Sequence, residues 1–149
     1  MKTQVNIKGF LFDLDGTLIQ SMQDHFVAWR KSFLTYGIKI NEKDYYPLEG
    51  SKLSEVAKII AKKNNILNPD IENIVKNKER FYNANNKIKF YLGVDKFLNK
   101  LMSKKIKIGI ITAGQKERLY NSLPLIFLNK FAIIVTSDDY ENGKPSPKP

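Results

Sequence analysis

The sequence predicts an α/β fold, a small parallel sheet with a block of helices inserted after its first strand. Three observations predict it. Residues 5–12, 106–111 and 131–135 are short apolar runs rich in branched and aromatic residues, the pattern of buried strands. The stretches between them repeat apolar residues at three- and four-residue steps, the pattern of helices, so the strands run parallel through right-handed crossovers. Each run also ends on polar residues, at the end where an open parallel sheet receives its ligand: Asp13 and Asp15, then Thr112, then the loop 138–144.

In chain order, the first strand stops at Asp13, and Asp15-Gly16-Thr17 makes the turn after it. Met22, Phe26, Trp29, Phe33 and Tyr36 form one helix face over 21–36, and Gly37 stops that helix. A short helix over 41–45 ends before Pro47 and Gly50. Helices over 54–64 and 70–83 follow, the second capped by Asp70. Gly93 opens an amphipathic helix through Val94, Phe97, Leu98, Leu101 and Met102. The second strand ends in Thr112-Ala113-Gly114. The helical stretch 116–128 must end or bend at Pro124 before the third strand. The first crossover is too long for one helix, so residues 1–19 and 89–149 are assigned to the α/β core and 20–88 to a helical cap.

Composition narrows the function classes. The 149 residues are 42% hydrophobic and 27% charged, which suits a globular domain rather than a disordered or fibrous chain. No apolar run approaches the roughly 20 residues that span a bilayer, and the first residues lack a signal-peptide pattern. The absence of cysteine removes thiolate chemistry and disulfides and fits a cytoplasmic chain. The net charge of +10 is spread as +2, +3 and +5 over residues 1–40, 41–90 and 91–149, and Arg30, Arg80 and Arg118 are the three arginines. Nucleic-acid recognition favours arginine clusters, so no nucleic-acid partner is expected, nor a membrane.

The strand ends carry a phosphoryl-transfer constellation. Asp13 and Asp15 can divide the work of nucleophile and general acid/base, with a Mg²⁺ ion neutralising the pair. Gly16 and Thr17 turn the chain over them. Thr112 offers a hydroxyl, and Ala113 and Gly114 offer N–H groups at a strand-to-helix turn, a cradle for an anion. Lys144, between Gly143 and Pro145, supplies a fixed cation.

These residues resemble a family. Phe12-Asp13-Leu14-Asp15-Gly16-Thr17-Leu18 resembles the first motif of the haloacid dehalogenase-like (HAD) hydrolases, Ile110-Ile111-Thr112-Ala113-Gly114 the second, and Gly143-Lys144-Pro145-Ser146-Pro147 the third. The helical insertion resembles the small cap of the phosphoglycolate-phosphatase and β-phosphoglucomutase branch. The resemblance implies a Rossmann-like core and Mg²⁺-dependent hydrolysis of a small phosphorylated metabolite. Asp13 would attack phosphorus and form an aspartyl-phosphate, and would hold Mg²⁺ together with the Asp15 backbone carbonyl. The Asp15 side chain would act as acid, then base. Thr112 and nearby N–H groups would hold the phosphoryl oxygens, and Lys144 would neutralise charge.

The pattern departs from the family after Lys144, because Pro149 precedes any fourth motif with its strand and acidic residues. A truncated core is therefore expected, with weak metal affinity, an unpaired first strand and impaired activity. The alternatives are a β-phosphoglucomutase-like phosphotransferase and a catalytically silent fragment. In the cap, Gly50, Ser51 and Lys52 resemble the specificity loop of the branch, with Lys52 expected to attract an anionic leaving group. A plain helix-cap turn is the alternative for them. His25 is expected to pack or cap its helix, and Trp29 and Phe33 to lie in the core. Oligomeric state is not legible.

Overall fold

The computed structural model describes residues 7–85 and 87–149. Its sheet has three parallel strands in the order β1-β2-β3: β1 (Gly9–Phe12), β2 (Lys107–Ile111) and β3 (Ile133–Val135). Among the described residues, β1 pairs on one side only, with β2. Each strand is shorter than its apolar run. Ile7 and Lys8 lie outside β1, and Val5 and Asn6 fall outside the described residues. Before β3, Phe131 is buried in the core while the Ala132 N–H bonds Ile108 O, so the chain joins the sheet before regular pairing begins.

The helices follow the apolar periodicity closely. Between β1 and β2 lie α1 (Met22–Leu34), α2 (Glu42–Tyr45), α3 (Leu53–Lys63), α4 (Ile71–Asn85) and α5 (Val94–Ser103). Gly37 stops the chain after α1 in the left-handed region, at φ +74°, where a Cβ is unfavourable. The Ile38 N–H reaches back to Phe33 O across that turn. Asn41 and Asp44 close a reciprocal capping box around α2. The Asp70 carboxylate accepts from the Asn73 N–H, the cap expected for α4. The stretch 116–128 splits at Pro124 into α6 (Lys116–Ser122) and α7 (Leu125–Leu128), because proline cannot supply the missing N–H.

Two apolar cores result. Leu14, Leu18, Ile19, Leu98, Ile108, Ile110, Leu119 and Phe127 fill the space beside the sheet. Phe26, Trp29, Phe33, Tyr45, Val56, Ile60 and Ile74 pack the inserted helices together. The expected burial of Trp29 and Phe33 is what the structure shows, with 1% and 0% exposed. A cavity lies where the inserted helices face the C-terminal ends of the strands.

Candidate active site

A cavity of about 600 Å³ lies over the strand ends, lined from below by Asp13, Asp15, Gly16, Thr112, Ala113, Gly114 and Lys144. β1 delivers Asp13 and β2 delivers Thr112, and the loop after β3 brings back Lys144. The Lys144 Nζ donates to Asp13 Oδ1 at 2.5 Å. These two side chains are separated by more than 130 positions in sequence and meet only because the strands are parallel. Thr112 is fully buried, and its Oγ1 accepts the Gly114 N–H at 3.0 Å. The Gly114 N–H is thus engaged by Thr112 in this arrangement, while Ala113 and Gly114 both line the cavity. Asp138 and Asp139 serve the backbone instead of the site, accepting from the N–H groups of Lys116 and Thr136.

Asp15 is saturated with donors. Its Oδ1 accepts from Ser21 Oγ at 2.7 Å and from His25 Nε2 at 3.0 Å, and its Oδ2 accepts from Arg118 at 3.0 Å. Burial pushes this carboxyl up, but Arg118 and His25 together hold it well below the usual carboxylate range. His25 therefore does more than pack. Lys78 Nζ donates to its Nδ1 at 3.0 Å, so the partners require the neutral ring with the proton on Nε2. Burial, then the Lys78 ammonium, depress His25 to about 4, against the pull of Asp15. Its ring also stacks on Tyr82 with centroids 4.1 Å apart.

Behind this layer stand charges that the sequence reading did not single out. Lys78 is 0% exposed and pairs with Glu79 Oε1 at 2.6 Å. Arg118 lies 5% exposed over the Tyr82 ring, and its Nε faces Glu79 Oε2 at 3.8 Å. The guanidinium fills the space where a Gly114 side chain would go, with one nitrogen 1.9 Å from the position of an added Cβ. For Lys78 a signal was available. It sits on the apolar stripe Ile71, Ile74, Val75, Lys78 and Tyr82, where a lysine must be paired rather than solvated. Nothing in the local pattern marks Arg118.

The inserted helices roof the cavity with Tyr45, Leu48, Glu49, Gly50, Ser51, Leu53 and Val56. Lys52, expected to meet substrate, does not line it. Its ammonium turns outward to the carbonyl of Tyr140 and lies over that residue's ring, 4.9 Å from the centroid. Thr17 is likewise an exposed turn residue outside the cavity. Glu49, beside the predicted loop, does line it. Burial raises Glu49 to about 7; a hydrogen bond from Tyr45 opposes this and the nearby Asp15 charge adds to it.

Metal fit is a question of donor chemistry. Asp13 and the Asp15 backbone carbonyl offer hard oxygens, and Mg²⁺ commonly takes one or two carboxylates, with waters and substrate phosphate completing its shell. These atoms suit Mg²⁺. Among the described residues, no group of three or more acidic, histidine or cysteine side chains could hold a metal by itself.

The parallel sheet, with the aspartate pair and the returning lysine gathered at its strand ends, defines a Rossmann-like α/β protein. The sequence pattern of the haloacid dehalogenase-like hydrolases matches residues 10–149, and the chain belongs to that family. It is 31% identical over 150 residues to pyrophosphatase PpaX of Halalkalibacterium halodurans and 25% identical over 148 residues to pyrophosphatase PpaX of Oceanobacillus iheyensis. Each alignment covers 97% of this chain and 66% of the relative, so the chain spans just under two thirds of their length. Among solved structures, β-phosphoglucomutase from Clostridium difficile superposes with a TM-score of 0.80 at 27% identity, over 96% of this chain and 67% of that one. Among the described residues, no helix is long and apolar enough to cross a membrane.

Proposed function

We propose that this chain carries the site of a Mg²⁺-dependent phosphomonoester hydrolase that works through an aspartyl-phosphate on Asp13. The observation that carries the reading is the meeting of Asp13, Thr112 and Lys144 from three separate strand ends around one cavity. A carboxylate nucleophile needs the phosphoryl charge screened before it can approach, and Lys144 is placed to do that. Mg²⁺, held by Asp13 and the Asp15 carbonyl, would supply further screening of the phosphoryl oxygens. Asp13 forms the new bond to phosphorus as the bond to the leaving oxygen breaks and that oxygen takes a proton from solvent. A water then attacks phosphorus, and the bond to Asp13 breaks as phosphate leaves. Asp15, held ionised by Arg118 and His25, is in the state that accepts a proton from the attacking water. Thr112 orients the phosphoryl group, while the segment 20–88 acts as the cap that keeps bulk water out.

The test is phosphate release from p-nitrophenyl phosphate by the purified chain with Mg²⁺. Asp13→Asn is expected to lower the rate by about a thousandfold or more while the fold persists. Equal rates in the two proteins would sink the reading. The structural match to a β-phosphoglucomutase favours one second reading, transfer of the phosphoryl group between hydroxyls. Product analysis separates the two, since a mutase returns a migrated phosphate and a hydrolase free phosphate.

A further inference from the structure

The roof of the cavity carries a carboxyl that the protein satisfies only in part: Tyr45 hydrogen-bonds Glu49, yet one of its oxygens has no partner. Glu49 follows the 3₁₀ turn Tyr46–Leu48, and its Oε1 is buried without a hydrogen-bond partner. The other charged side chains from the inserted helices and α6 that line the cavity are already committed. Lys78 is held by His25 and Glu79, His25 lies between Lys78 and Asp15, and Arg118 is bound to Asp15. Lys144 sits on Asp13, where the transferred phosphoryl group would lie, and Lys52 is turned away to Tyr140. Among the described residues, the part of the cavity facing the roof therefore offers an entering molecule a carboxyl group and no uncommitted cation.

We propose that Glu49 reads the leaving group, and that the substrate is a phosphate ester whose leaving group presents hydroxyl donors rather than a second negative charge. This rests on the phosphotransfer reading of Asp13 given above. A buried carboxyl oxygen with no partner is costly, and a hydroxyl from the substrate would relieve that cost on binding. A second phosphate or a carboxylate would instead face an acceptor with an acceptor, and an anion with a carboxylate that ionises near neutrality. The cavity over the strand ends, at about 600 Å³, has room for a hexitol-sized leaving group. The inference separates this chain from the activity that the names of its pyrophosphatase relatives carry.

The test is titration calorimetry of the full chain in an Asp13→Asn background, which blocks turnover, with sorbitol 6-phosphate, phosphoethanolamine and pyrophosphate as probes. Sorbitol 6-phosphate is expected to bind about tenfold tighter than pyrophosphate. Glu49→Ala should erase that ratio, and Glu49→Lys should reverse it. Should either fail to fold, the isosteric Glu49→Gln keeps the shape and should still shrink the ratio severalfold. Pyrophosphate binding as tightly as the polyol phosphate would overturn the proposal. So would ratios unmoved by Glu49, or no binding by any probe. Phosphoethanolamine binding tighter than sorbitol 6-phosphate would overturn the hydroxyl assignment in favour of an ammonium. Calorimetry reads Glu49 without catalysis. A chain that keeps the preference but releases no phosphate from an aryl ester refutes the Asp13 reading alone, and one that hydrolyses but shows no preference refutes the Glu49 reading alone.

Discussion

Glu49 shows at single-residue scale how a site strains against stability. Its carboxyl is raised to about 7, chiefly by burial and against the Tyr45 hydrogen bond, while an unfolded chain leaves it near 4.5. Folding therefore favours the protonated form. Between those two values the unfolded state loses its proton first, so stability falls as pH rises from about 4.5 to about 7 and stays reduced above. Glu49→Gln removes the ionisable group. It is expected to raise stability by about 3 kcal/mol at pH 8 and by little at pH 4. Urea unfolding of both proteins at the two pH values checks this, and a pH-independent difference would refute it. The sequence named the neighbours of Glu49 as a loop of interest but put the functional charge on Lys52. The direction of a side chain within a tight turn depends on what it meets across the fold. Here Lys52 meets Tyr140, some ninety residues away.

The turn between β2 and α6 ties a glycine to an arginine four residues later. A side chain at Gly114 would collide with the Arg118 guanidinium, which cannot swing aside because Asp15, Glu79 and the Tyr82 ring hold it. Gly114→Ala is therefore expected to cost about 1–3 kcal/mol by displacing that group. The same change in an Arg118→Ala background should cost much less, since the obstruction is gone. The double-mutant cycle, read from denaturant midpoints, measures the coupling, and additive costs would refute it. The elements themselves were legible. Apolar periodicity placed the helices to within a residue or two, and the strand ends marked the first-motif carboxylates, Thr112 and Lys144. Arg118 was not legible, because a lone arginine on a short helix reads as surface until the partner helix α4 is placed beside it. Lys78 was half legible, since its stripe was visible and its partners were not.

At the scale of the whole molecule, two sets of contacts among the described residues tie the inserted helices to the α/β core. One is the buried charge cluster of Asp15, His25, Lys78, Glu79 and Arg118. The other is more accessible: Lys52 reaches the Tyr140 carbonyl and ring, its stem lies where a Gly143 side chain would go, and Gly50 approaches Lys144. If this second fastening holds the roof to the third-motif loop, loosening it should release both sides together. Lys52→Met keeps the stem and removes the ammonium, a change of about 1–2 kcal/mol for a hydrogen bond to a charged donor. The two sides carry protected amides that report opening, Ser51 N–H on Leu48 O and Ser146 N–H on Gly143 O. Hydrogen exchange at both is expected to speed up in parallel by about five- to thirtyfold, with the amides of α5 unchanged. Faster exchange at Ser51 alone would mean that the roof loop frays by itself and that Lys52 is not a fastening. Parallel acceleration would place roof opening and third-motif opening in one motion, which brings the leaving-group pocket and the Lys144 cation to the substrate in the same step.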